Sequence, residues 1–181
     1  KAKFEVVGHK YADLSDYDNG VALLNDCKYG YMVHDNLLDL NLLRSPTNPD
    51  PDADKGSHSF TYSLFPHEYN LINSDVISEA SCLNQEPILF HEMSGKVKIP
   101  VKLVGEGLEL AVLKKAEKED AWVIRIIETY GRMSSGTIGL NGKIVECDLM
   151  EWKELGDYKA INGSLKLNLD PFEIKTYKVL Y

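Results

Sequence analysis

An all-β fold of antiparallel sandwich type, with one linking helix, is what the sequence predicts, and three observations predict it. Short apolar runs repeat with period 2, the mark of strands with one wet face. Glycine and asparagine cluster between those runs, where hairpin turns ask for positive φ. Only one stretch combines helical spacing with freedom from Gly and Pro. At 181 residues, 44% of them hydrophobic and 27% charged, the chain is long enough to bury a core without disulfides or metals.

The elements follow in order. Phe4-Glu5-Val6-Val7 is strand-like. Residues 20–24 are apolar, and Leu38, Leu40 and Leu42 alternate with Asp39 and Asn41. Residues 44–58 carry three prolines and three aspartates without apolar period and read as a long surface loop. Phe60, Tyr62 and Leu64 then alternate with Ser59, Thr61 and Ser63, which places the apolar set inward. Tyr69, Ile72, Val76 and Ala80 lie near helical spacing, so the helix is expected over 68–80. Val97, Ile99, Val101 and Leu103 alternate with Lys96, Lys98, Pro100 and Lys102. Further strands are expected at 108–114, 121–130, 144–149, 164–169 and 172–180, with tight turns at Gly105-Glu106-Gly107, Asn141-Gly142 and Asn162-Gly163.

Charge and cysteine usage limit the function. Twenty Lys and Arg against 28 Asp and Glu leave a formal charge of −8, with a pI near 5.1. A net negative surface speaks against a nucleic-acid phosphate binder or a polybasic membrane anchor, and no run approaches a membrane span. Cys27, Cys82 and Cys147 form no C-x-x-C pair, and a reducing, cytoplasmic location is the simplest expectation. The first residues show no leader pattern. A chain that opens at Lys1 and enters a strand-like run at once is expected to be a fragment of something longer.

Catalytic patterns fail one by one. Asp50-x-Asp52-x-Asp54 resembles a calcium loop, but Gly56 is one place late and Thr61 cannot supply the closing bidentate carboxylate. His67-Glu68 and His91-Glu92 begin a zinc motif whose second histidine is Leu71 in one case and Gly95 in the other. No G-x-S-x-G elbow is present, and Gly105-x-Gly107 lacks the third glycine of a dinucleotide site. Trp122 lies in an Ala-Trp-Val-Ile run where core packing is the default, whereas Trp152 is open to either packing or stacking on a sugar. Asn162-Gly163-Ser164 is a formal glycosylation acceptor, with weight only in a secreted context. Leu23-Leu24-Asn25-Asp26-Cys27-Lys28-Tyr29-Gly30 ends a strand in converging polar groups, which either bind a hydroxyl-rich ligand or cap the turn.

Several blocks together resemble a known family. His9-Lys-Tyr-Ala-Asp-Leu-Ser15, Gly20-Val-Ala-Leu-Leu-Asn-Asp-Cys-Lys-Tyr-Gly30, Leu42-Leu-Arg-Ser-Pro46, Asp50-Pro-x-Ala-Asp54, Tyr62-x-Leu-x-Pro-His67 and Pro171-Phe-Glu-Ile-Lys-Thr176 are similar, in order, to the C-terminal part of the α-mannosidases of glycoside hydrolase family 38. Leu83-Asn84, Lys114-Lys115-Ala116-Glu117 and Arg125-x-x-Glu128 fall between them. Tyr11, where many relatives carry Trp, and the polar Asp16-Tyr-Asp-Asn19 depart from the pattern.

The resemblance implies a large retaining hydrolase of α-mannosides whose catalytic carboxylates and divalent metal, usually zinc, sit in an N-terminal α/β barrel. This chain then holds no catalytic residue, metal ligand or cofactor. Residues 1–67 are expected to be the last strands of a large sandwich, 68–86 a helical linker, and 87–181 a small immunoglobulin-like sandwich. The expected partners are the barrel, the α-mannoside substrate of the parent enzyme and, through uncovered strand edges, a second copy of the chain. Asn25, Asp26, Lys28, Tyr29 and Arg44 are the candidates for the rim of the active site, Arg44 because a planar five-donor fork at the start of a loop can hold sugar hydroxyls. The alternatives are a self-standing carbohydrate-binding module and an adhesion-type sandwich with a protein partner.

Overall fold

The computed structural model describes residues 5–89, 91, 95 and 100–180, and it is antiparallel β with one α-helix. The chain divides into two compact units, Lys1–Met93 and Ser94–Tyr181. The expected strand residues Val97 and Ile99 lie outside the described residues.

In the first unit, β1 (Glu5–Val7), β4 (Gly30–His34) and β5 (Leu37–Asn41) form one three-stranded sheet, with β4 central. β2 (Tyr11–Ser15), β3 (Asn19–Asn25) and β6 (Tyr62–Glu68) form another, with β3 central. The helix α1 (Val76–Asn84) begins later than expected, because β6 runs to Glu68 and a 3-10 turn, Leu71–Asn73, comes first. Ala22 and Leu24 of β3 pack against Val76 and Ala80 of α1, with Tyr11, Phe65, Leu71 and Leu83 around them. That packing makes the helix part of the first unit.

The register of β3 explains a second difference. Gly20, Ala22 and Leu24 stand opposite His67, Phe65 and Ser63, and this is the face that α1 covers. Tyr62 and Leu64, the residues expected inward, project from the opposite face and are 56% and 67% exposed. Period 2 identifies two faces but does not say which one a distant helix will cover.

The second unit is a β-sandwich built around one long strand. β10 (Ser134–Cys147) pairs along β11 (Lys159–Leu169) on one side. On its other side it pairs first with β7 (Lys102–Val104) through Thr137–Gly139 and then with β12 (Ile174–Leu180) through Lys143–Cys147. β9 (Trp122–Glu128) and β8 (Leu108–Lys115) continue outward from β12. Ile124, Ile126, Ile138, Leu140, Leu167, Leu169, Tyr177 and Val179 form the core, alternate residues of four strands as the strand period requires. Trp122, expected in that core, is 40% exposed. It shares the face of Ile124 and Ile126 but stands at the first residue of β9, where the ring is only partly covered.

Gly105 to Gly107 turns the chain between β7 and β8 as expected. Asn141-Gly142 and Asn162-Gly163 do not turn it. They face each other within β10 and β11, Asn141 opposite Asn162. Gly142 and Gly163 nevertheless hold φ of +135° and +108°, and the Asn141 amide oxygen accepts the Gly163 N–H at 2.9 Å. The left-handed freedom of glycine serves a bend where β10 changes partner, not a hairpin.

Candidate functional site

The polar cluster after β3 is a turn ordered by its own first residue. Asn25 is 1% exposed, and its Oδ1 accepts the backbone N–H groups of Cys27 at 3.1 Å and Lys28 at 2.6 Å. Its Nδ2 donates to the hydroxyl of buried Tyr31. Its main-chain carbonyl accepts from Nδ2 of Asn84 at 3.0 Å, which ties the turn to the end of α1. Burial pushes the Tyr31 phenol up, and the Asn25 bond offsets part of that. Asn25→Ala leaves two N–H groups and a phenol without partners, and is expected to cost about 2–3 kcal/mol in a urea melt of the chain; a change below about 0.5 kcal/mol would show that the turn holds without it.

Asp26 points the other way. Its two carboxylate oxygens both lie 3.0 Å from the N–H of Thr61, and the Asp26 N–H donates to the Thr61 carbonyl at 3.2 Å. The neighbouring Cys27 thiol and the Thr61 N–H hold this exposed carboxyl below its ordinary value. The clamp joins the turn to the segment leading into β6.

Lys28 and Arg44 line the same surface concavity. It is open, about 1210 Å³ in volume, and lies over the β1-β4-β5 sheet, with Tyr31, Leu40, Asp54 and Phe60 also in its lining. The Lys28 ammonium lies 5.1 Å from the centroid of the Phe60 ring. Asn25, Asp26 and Tyr29 are not among the lining residues. Tyr29 is half exposed and sits against His9, ring centroids 4.5 Å apart.

The acidic loop is folded onto its own backbone. Oδ2 of Asp54 accepts the N–H groups of Arg44 at 3.3 Å and Ser45 at 2.8 Å. Asp52 pairs with Lys55, and Asp50 accepts the Asp52 N–H at 2.9 Å. Asp54 therefore orders the loop through the backbone of Arg44, and among the described residues the guanidinium makes no ion pair. Nor do three or more His, Cys, Asp or Glu converge as metal ligands among the described residues.

Two buried carboxylates escaped the sequence reading. Asp13 Oδ1 meets His67 Nε2 at 2.8 Å, the two side chains 5% and 4% exposed. Ser15 donates to the other Asp13 oxygen at 2.6 Å. Gly20 lies between β2 and β6 in this row, and a Cβ there would stand 2.5 Å from the imidazole, so the absent side chain is what lets His67 reach across β3. Burial opposes a charged imidazole, but the bond and charge of Asp13 together with backbone contacts at Glu68 and Tyr69 outweigh it, and the His67 pKa is raised. In the second unit Glu128 is wholly buried. Its carboxylate accepts the N–H groups of Tyr130 (2.9 Å), Gly131 (2.8 Å) and Phe172 (2.9 Å) and the hydroxyl of Ser134 (3.0 Å). Burial favours the neutral form, yet these four donors together hold its pKa below the ordinary value. Glu at a strand end followed by Gly131 was the available signal.

Among the described residues no helix is long and apolar enough to cross a membrane, and Cys27, Cys82 and Cys147 are unpaired.

Comparison with known proteins places these units. The model for the glycosyl hydrolases family 38 C-terminal domain matches residues 1–52. The model for the family 38 C-terminal beta sandwich domain matches residues 107–177. The chain is 40% identical to alpha-mannosidase G of Dictyostelium discoideum over 99% of its length and 18% of that protein. It is 30% identical to the alpha-mannosidase of Saccharomyces cerevisiae over 99% of its length and 19% of that protein. With human alpha-mannosidase 2C1 it shares 34% identity over 96% of its length and 18% of that protein. The chain thus spans about a fifth of the length of these relatives. Its fold matches the crystal structure of a family 38 protein from Enterococcus faecalis with a TM-score of 0.68, at 15% identity, over 97% of this chain and 22% of that one.

Proposed function

Because the chain belongs to glycoside hydrolase family 38, as its C-terminal region, we propose that it is the non-catalytic end of a retaining α-mannosidase that removes terminal α-mannosides from mannose-containing glycans. The two catalytic carboxyls of such an enzyme, and its zinc or other divalent metal, then lie in an N-terminal barrel outside this chain. The observation that carries the reading is the open sheet face opposite α1. Val21, Tyr62 and Leu64 are 41%, 56% and 67% exposed on it, an apolar surface that a preceding part of the same protein would cover. In this role the first unit completes a larger sandwich, and Lys28 and Arg44 present cations to the rim of the sugar site. Asn25 and Asp26 hold the turn that carries Lys28 and Tyr29. Three unpaired cysteines favour a cytoplasmic enzyme, and the uncovered face favours self-association of the isolated chain.

Two measurements test this. The purified chain is expected to release no aryl alcohol from an aryl α-mannoside, with or without zinc; any metal-dependent turnover would place a catalytic group in this chain. In the full-length enzyme, Arg44→Ala is expected to lower kcat/KM for α-mannosides tenfold or more, on the order of 1.4 kcal/mol, at an unchanged melting temperature. Unchanged activity would assign this arginine to its loop alone.

A further inference from the structure

We propose that the second unit carries a binding site for one neutral hexopyranose ring, built on Trp152 and the ion pairs beside it. A cavity of about 250 Å³ is lined by Trp152, Lys118, Glu119, Arg125, Glu151 and Lys178, among others. Its volume lies just under the roughly 300–1,000 Å³ of drug-sized sites, which suits a single sugar unit.

The loop after β10 is built to display the indole. Trp152 is 67% exposed, although a tryptophan is among the most favourable residues to bury. The backbone N–H groups of Trp152 and Lys153 both donate to Oδ1 of Asp148, at 2.8 and 3.2 Å. The Asp148 N–H bonds the Lys153 carbonyl at 2.9 Å, closing the loop. Glu151 takes a left-handed φ of +63° to make this turn, a strained conformation for a residue with a Cβ. Lys118 places its ammonium 4.3 Å from the centroid of the indole ring, which fixes the platform.

The charges beside the platform are shared: four cations, Lys114, Lys118, Arg125 and Lys178, line the cavity with three carboxylates, Glu117, Glu119 and Glu151. One oxygen of Glu151 accepts from Arg125 at 3.1 Å and from Lys114 at 3.0 Å, while Lys178 pairs with Glu119. With three carboxylates against four cations most of the charge cancels, and a lining of ammonium, guanidinium and carboxylate groups offers a ligand both donors and acceptors. Sugar hydroxyls are both donors and acceptors, and the C–H face of a pyranose is apolar enough to lie on an indole. That combination, an apolar platform with polar groups of both kinds in one lining, suits a hydroxyl-rich ring better than a hydrocarbon. The inference does not depend on the parent enzyme's activity.

The test uses the whole chain with methyl α-pyranosides of mannose, glucose and galactose as probes, and glycerol as a polyol without a ring face. In a Trp122→Phe chain the fluorescence reports Trp152 alone. At least one glycoside is expected to shift that emission saturably with a Kd of about 1–10 mM, and to show saturation-transfer NMR signals on its ring protons. Trp152→Ala, a change at an exposed position, should abolish the NMR signals while leaving the circular dichroism and melting temperature as they were. Absence of saturable binding up to about 100 mM, equal NMR signals from the Trp152→Ala chain, or the same response to glycerol would each overturn the proposal.

Discussion

Replacing Glu128 by Gln should destabilise the second unit by about 3 kcal/mol or more. Three backbone N–H groups and a hydroxyl converge on the native carboxylate. A glutamine keeps one acceptor oxygen and turns an amide donor toward the remaining donors, at a side chain wholly shielded from bulk solvent. The pH dependence has a definite sign. A carboxyl with a depressed folded pKa adds stability that is complete above its ordinary value near 4.5 and is lost as pH falls through the lower folded value. The parent chain should therefore weaken in acid over that window, and the variant should show a flatter profile there. Urea melts read by amide exchange at Tyr130, Gly131 and Phe172 would measure it. A loss under about 1 kcal/mol would mean that the turn is held by other means.

Asp13→Ala should cost the first unit a similar amount, about 3 kcal/mol, by leaving His67 buried without its partner. Here the sign reverses. An imidazole whose folded pKa is raised adds stability that is fully present below its ordinary value of 6.5 and lost as pH rises through the folded value. Melts of the parent followed through the first unit should weaken from mildly acidic to alkaline pH, and Asp13→Asn should flatten that slope. Gly20→Ala should reproduce much of the loss, since its methyl group would press on the imidazole from 2.5 Å. If Asp13→Asn keeps the parental slope, the titrating group is not His67.

How far the fold can be read from the sequence depends on where the deciding partner lies. The alternation around Leu38 and Leu40 identifies β5, and the apolar runs near 108, 122 and 174 identify β8, β9 and β12, because strand period is a local property. Asn141-Gly142 and Asn162-Gly163 carry a hairpin's local chemistry, but each finds its pairing partner about twenty residues away. The positive φ is real in both glycines, and only the pairing distinguishes a bend from a turn. The inverted faces of β6 have the same origin: Tyr62 and Leu64 are as apolar as Phe65, and it is α1 that decides which set is covered. In the candidate site, Asn25-Asp26-Cys27-Lys28 is legible as a polar turn. That Asn25 is spent on the turn itself, and that Lys28 and Arg44 line one concavity, follows from Tyr31 and Phe60, which no local spacing connects to it.

β10 also imposes an order of events on the growing chain. Its pairing with β11 closes across residues 145–158, the nearest in sequence of the pairings that β10 makes, so that hairpin can close soon after both strands are made. The core layer beyond it must wait, because β9 and β8 reach β10 only through β12, and β12 is the last of these strands to be synthesised. Until then Ile124 and Ile126 have a sheet neighbour on one side only. Mutations that slow folding of the second unit should therefore concentrate at β10 and β11, whereas those in β9 and β12 should mainly hasten unfolding.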